Sequence, residues 1–119
     1  MKVFDEMNRQ FALDKAAEAV ARELRESGYL DSLLGSGHAV DFYLKPEGQG
    51  DGFFSLICAL ALKEVAITPA VAEMLMTLGN EMFTEQLARR LDPVDVENIQ
   101  GYVLDCELLI NGKPWIRDV

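Results

Sequence analysis

The stretch YVLDCELLI, residues 102–110, alternates apolar and polar side chains and runs directly into Asn111-Gly112. Strict alternation is the signature of a strand with one buried face, and it sets Tyr102, Leu104, Cys106, Leu108 and Ile110 on that face. Asn-Gly is the strongest short hairpin signal, because both central residues of a type I′ turn need positive φ. A two-residue loop fixes the register: Leu108 opposite Trp115, Leu109 opposite Pro114, and Cys106 opposite Arg117. In that register the missing N–H of Pro114 points away from the partner strand, which marks the last strand as an edge.

The rest of the chain reads around this hairpin. Leu13, Ala16, Ala17, Val20 and Leu24 recur at helical spacing, with Lys15, Glu18, Arg22 and Glu26 on the other side, predicting a helix over 14–27 that Gly28 ends. Tyr29 is then placed to pack on Leu24. Phe4, Met7 and Phe11 share a spacing of their own on the opposite side of the same wheel. Either the helix starts earlier and packs on two sides, or residues 1–11 form a separate element. LDSLLGSGH reads as a loop. AVDFYLK, residues 39–45, alternates and predicts a strand. The run FFSLICALALKEVAI does not alternate, so as a strand it is buried on both faces. Periodicity alone also fits a short core helix, but a Gly-rich loop between two apolar runs favours a hairpin with 39–45.

Thr68-Pro69 and Asp92-Pro93 both place a capping side chain before a proline at the first helical position. The first starts a long apolar stretch carrying two stripes, Val71, Met74, Leu75, Leu78 and Met82, and Ala72, Met76, Phe83 and Leu87. Gly79-Asn80 between its halves predicts a kink or two abutting helices, 69–79 and 81–91. The second starts a short helix that Gly101 can end. With 119 residues the chain makes one domain, 1–119. The expected fold is α+β: an antiparallel sheet of two hairpins packed against an N-terminal helix and a helical middle segment.

Charge and composition restrict function. The longest apolar run, Phe53 to Leu62, is too short to span a membrane, and MKVFDEMNRQ sets acids where a signal peptide has its apolar core. A cytoplasmic location is expected. Net charge is −9; the stretch between Lys63 and Lys113 holds nine acids against Arg89 and Arg90. Nucleic acids and anionic lipids are bound through Lys and Arg that displace counterions, so direct contact with either is not expected. Cationic partners are favoured.

The residues that could carry chemistry are sparse. Gly48, Gly50 and Gly52 form GxGxG, which matches neither phosphate-binding pattern, and Glu47 and Asp51 would repel an anion. Glu47, Gln49 and Asp51 offer oxygens to calcium, yet the spacing of a calcium loop is absent. The stretch reads as a hairpin turn. Cys58 and Cys106 lie in apolar runs without a CxxC pair, and His38 is the sole histidine. Two buried thiols are expected rather than a zinc site, with a long-range disulfide as the other pairing. No GxSxG elbow surrounds Ser32 or Ser36 near His38. Neither cofactor nor metal is expected.

Acids concentrate instead at Asp92, Asp95, Glu97, Asp105 and Glu107, with no base among them. If the short helix lies beside the strand, these carboxylates make a patch the width of a protein contact. The expected function is therefore a non-enzymatic binding module of the inhibitor or immunity type. Its patch would occlude a basic surface on a nucleic-acid-handling partner. The alternative is a subunit of a homo-oligomeric structural or viral accessory assembly, motivated by the two stripes of 69–91 and the edge strand. A small enzyme using Cys58, Cys106 or His38 is the least favoured.

Overall fold

The computed structural model describes residues 2–35, 37–47, 53–63, 67–100 and 103–116, with side chains described for all of these but 2–9, 100 and 103–105. Helices α1 (Lys2–Ser27) and α2 (Tyr29–Leu34) come first, followed by strands β1 (His38–Pro46) and β2 (Phe54–Leu62). Helices α3 (Pro69–Ala88) and α4 (Pro93–Gln100) come next, and strands β3 (Val103–Ile110) and β4 (Lys113–Pro114) close the described order. The fold is α+β, as the sequence pattern requires.

The four strands form one sheet in the order β1-β2-β3-β4. Both expected hairpins are present and antiparallel, β1 with β2 and β3 with β4. The seam between them departs from expectation: β2 and β3 run parallel, so the sheet is mixed. The reason is the connection. α3 and α4 carry the chain back to the end of the sheet where β2 began, which a tight turn cannot do and a helical crossover does.

Several local expectations are met. Phe54–Leu62 is a strand, with Phe42 opposite Cys58 and Val40 opposite Leu60. Leu109 faces Pro114, and the Trp115 N–H donates to the Leu108 carbonyl at 2.8 Å, the register that the Asn-Gly turn dictates. Asn111 and Gly112 have φ of 51° and 82°, the left-handed pair of a type I′ turn. Asn111 does more than turn. Its N–H donates to the Leu60 carbonyl at 2.8 Å; its side-chain oxygen accepts from the Leu62 N–H at 2.8 Å, and its amide donates to the Leu62 carbonyl at 3.2 Å. The side chain thus extends the parallel ladder one step beyond the end of β3.

Other expectations need correction. Of the two readings left open at the N-terminus, the earlier start is the one observed. The helix is a single element from Lys2, while the strongest periodicity begins near Asp14. Residues 29–34, read as loop, form α2; Gly28 with φ 74° ends α1 and also precedes α2. The short polar Asp31-Ser32 interruption hides this turn of helix from periodicity, while Leu30 is fully buried. α3 is continuous through Gly79-Asn80. Gly79 is there for packing: a Cβ would lie 2.8 Å from Phe42 Cε2 and 3.5 Å from Cys106 Sγ, so only glycine lets the helix approach the sheet this closely. The helix begins as expected, with Thr68 Oγ1 accepting from the Val71 N–H at 3.2 Å and Pro69 in the first turn. The turn at residues 48–52, Gly101 and Arg117 lie outside the described residues; the Glu47 N–H closes the base of that turn on the Phe53 carbonyl at 2.9 Å.

The core sits on one side of the sheet. Val40 and Phe42 of β1, Leu56, Cys58 and Leu60 of β2, and Cys106, Leu108 and Ile110 of β3 face a layer built from all four helices. α1 contributes Leu13, Ala16, Ala17, Val20, Ala21 and Leu24; α3 contributes Ala72, Leu75, Phe83 and Leu87; Val96 and Ile99 of α4 complete it. The alanines of α1 keep that helix close to both β1 and α3. Cys58 and Cys106 are free thiols within this layer. Among the described residues no helix is long and apolar enough to cross a membrane.

Candidate functional site

The sequence points to five carboxylates, and the structure divides them. Asp92 and Glu97 are exposed on α4 and the residue that leads into it, and Asp95 is half-buried beside them. α4 is pinned by Val96 and Ile99 in the core, so its remaining surface is turned outward. The Val96 N–H bonds the Asp92 carbonyl at 3.0 Å, fixing the first turn. Asp92 and Asp95 thus lie at the N-terminal end of a helix, where the macrodipole favours negative charge, and Glu97 follows in the next turn. Among the described residues neither Asp92 nor Glu97 takes part in an ion pair or a side-chain hydrogen bond. Val94 stands between them 67% exposed, an apolar side chain surrounded by acids.

Glu107 is elsewhere. It lies on the face of β3 opposite the helical layer, in register with Ile57, and its Oε2 is 3.9 Å from Lys45 Nζ of β1. Two strand spacings separate β1 from β3, so the two side chains meet over β2. Lys45 also reaches Glu47 Oε1 at 3.4 Å. The base that partly neutralises Glu107 is therefore distant in sequence, which a local charge count cannot find. Asp105 lies on β3, and its side chain is outside those described. A register shift between the pairs Phe54–Val103 and Leu56–Cys106 inserts one extra residue beside it, so its face cannot be obtained by counting from Glu107.

The two arginines nearest the patch in sequence are engaged on another surface. Arg89 Nη2 donates to Glu85 Oε1 at 3.2 Å; Arg90 Nη1 donates to the Gln86 side-chain oxygen at 2.7 Å and its carbonyl at 2.9 Å. Gln86, almost fully buried, donates in turn to Glu23 Oε2 at 3.1 Å. This relay ties the end of α3 to α1 across a charged cleft that Arg22 and Glu26 complete. It satisfies a polar side chain inside the helical layer and holds Arg90 toward α1, while Arg89 stays paired with Glu85 on α3 itself.

The remaining chemistry-bearing residues have structural surroundings. His38 Nε2 meets Asp31 Oδ1 at 2.7 Å, joining α2 to the start of β1. Its Nδ1 is buried without a hydrogen-bond partner, so among the described residues no hydroxyl or thiol is bonded to it; Ser36 lies outside those described. Burial pushes the Cys58 thiol well above its ordinary pKa, and Cys106 beside it pushes the same way. A thiol held neutral and covered is a poor nucleophile. No group of three metal-ligating side chains occurs among the described residues. A groove of about 770 Å³ runs along β3 beneath Trp115 and Ile116, with Glu73, Met76 and Asn80 of α3 on its far side. Sequence reasoning missed the exposure of Val94 and the Asp31–His38 pair; the first is visible only once Val96 and Ile99 are known to define the buried side of α4.

Comparisons with protein-family models, with curated proteins and with solved structures find no match to this chain.

Proposed function

We propose that the protein is a non-enzymatic, acidic protein-binding module of the inhibitor or immunity type, acting in the cytoplasm by covering a basic, nucleic-acid-handling surface of its partner. The observation that carries this is the outer surface of α4: Asp92, Asp95 and Glu97 flank the exposed Val94, while Arg89 is paired with Glu85 of α3 and Arg90 with Gln86. Asp92 and Glu97 need not break an ion pair with a described residue to meet the partner's Lys and Arg, and Val94 supplies an apolar centre from which water is excluded. A larger partner would also meet Glu107 and Asp105 of β3.

The test is capture by immobilised protein at low salt, followed by a salt gradient. The wild type is expected to retain a basic protein that moderate salt releases. The triple variant Asp92→Lys, Asp95→Lys, Glu97→Lys is expected to lose it while melting as a folded domain. Equal retention by that variant rejects the α4 surface.

A further inference from the structure

We propose that Asn111 is a site of spontaneous deamidation, gated by its own side-chain bonds to Leu62, and that its conversion permanently loosens the parallel seam between β2 and β3. The inference is independent of the α4 surface.

The chemistry comes from the next residue. Asn8, Asn80 and Asn98 precede Arg, Glu and Ile, whereas Asn111 precedes Gly112. Glycine has no side chain to shield its backbone nitrogen. Once that nitrogen has given its proton to hydroxide, it can attack Asn111 Cγ. The new N–C bond closes a five-membered succinimide while the Cγ–Nδ2 bond breaks and ammonia leaves. Water then opens the ring: attack at Cγ gives aspartate, and attack at the former backbone carbonyl gives isoaspartate. The sum is asparagine plus water going to acid plus ammonia, with solvent as the sole co-reactant. Asn111 is exposed, so water reaches it.

The turn permits this ring, and the bonds to Leu62 oppose it. Closure brings the Gly112 nitrogen and Asn111 Cβ to the same side of the Cα–C bond, a ψ of about −120°, as at the first central residue of a type II′ turn. Asn111 already has the positive φ, 51°, that types I′ and II′ share at this position. Flipping the one peptide between Asn111 and Gly112 therefore suffices, and a hairpin turn is kept. The side chain is what resists. A five-membered ring eclipses Cγ with the backbone carbonyl carbon, so χ1 must turn by about 60° out of a staggered well. That turn carries the amide off β2. Its oxygen accepts from the Leu62 N–H at 2.8 Å and its nitrogen donates to the Leu62 carbonyl at 3.2 Å, and both bonds must break. The opening is local, at the end of the seam, and does not require the core to come apart.

Neither product can close the gate again. Aspartate can still accept from the Leu62 N–H, but it has no N–H for the Leu62 carbonyl and sets an anionic oxygen against it. Isoaspartate adds a methylene to the backbone inside the two-residue turn, next to the pair Ile110–Lys113 and the Asn111 N–H bond to Leu60. Each conversion thus marks a chain whose seam has opened and leaves that seam easier to open again.

Peptide mapping by mass spectrometry of the full chain, held at mildly alkaline pH in buffer and in urea, tests the proposal. Wild type in buffer is expected to convert Asn111 at least about fivefold more slowly than in urea, the factor implied by the two bonds that must break. Leu62→Pro removes the N–H that Asn111 accepts from. Its folded form is expected to close most of that gap, while in urea the two chains convert alike. Wild type aged in buffer until converted is expected to melt below fresh protein. Should Leu62→Pro not fold, hydrogen exchange of the Leu62 amide in wild type decides, with exchange and conversion slowed by similar factors. Equal conversion in buffer and in urea overturns the proposal. So does a folded Leu62→Pro as slow as wild type, a Leu62 amide that exchanges freely while Asn111 persists, or aged protein that melts with the fresh.

Discussion

Gly79 is selected by the ring of Phe42 rather than by any demand of the backbone. In an exposed helix Gly→Ala stabilises by about 1 kcal/mol. Here the added methyl would stand 2.8 Å from Phe42 Cε2, and overpacking of a filled core costs about 1–3 kcal/mol. The second effect wins, so Gly79→Ala is expected to lower the urea midpoint; placing it on Phe42→Leu, which vacates the space, should reverse the sign. A stabilised single variant would show that the ring can move aside. The sequence shows the glycine but not its cause, because the residue it accommodates is 37 positions away. The same limit explains why 69–88 is one helix and not two: propensity reads Gly-Asn as a break, while contacts of α3 with α1 and with the sheet keep the helix continuous.

At the scale of elements, the turn that was most legible in sequence carries the seam that was least so. Asn-Gly announced the β3–β4 hairpin, yet the Asn111 side chain also bonds both the N–H and the carbonyl of Leu62. Asn111→Gly keeps the positive φ and loses those two bonds, at a cost of about 1 kcal/mol. Asn111→Ala loses them and adds left-handed strain of about 1–2 kcal/mol. The expected order of thermal midpoints is wild type, then Gly, then Ala; equal midpoints for Gly and wild type would mean the side-chain bonds contribute nothing. The parallel seam itself was hidden because a strand's pattern of burial does not tell its direction. Edge protection belongs to this scale too. Arg25→Ala combined with Asp41→Ala frees the Val40 carbonyl and the Phe42 N–H, and is expected to raise light scattering on concentration through disordered aggregates. A double variant as soluble as wild type would show that the edge needs no guard.

The whole molecule is a one-sided sheet under a helical layer, with its thiols inside and its α4 acids outside. Burial holds Cys58 protonated, and the thiolate is the reacting species, so a thiol reagent at mildly alkaline pH should label it slowly in the native protein and at the free rate in urea. Fast native labelling would indicate an opening of the layer over β2. The fold class was readable from alternation, caps and turns, and so were most of the described residues facing the core; Met74 is exposed, and Tyr102 and the Leu104 side chain lie outside those described. The candidate site was only half readable. Charge counted along the chain identified Asp92, Asp95 and Glu97, which α4 keeps together, but it could not separate them from Glu107, which the sheet places over β2 within reach of Lys45. Counting along the chain also placed Arg89 and Arg90 beside the acids, whereas the relay through Gln86 holds Arg90 toward α1.

The most direct measurement of the central claim is salt-resolved capture of a partner by wild type and by the Asp92→Lys, Asp95→Lys, Glu97→Lys variant, run beside a Glu107→Lys variant. A basic protein is expected to be retained at low salt by wild type, lost from the α4 variant and only weakened by Glu107→Lys. Undiminished retention by a folded α4 variant, or no retained protein with any of the three, would contradict it.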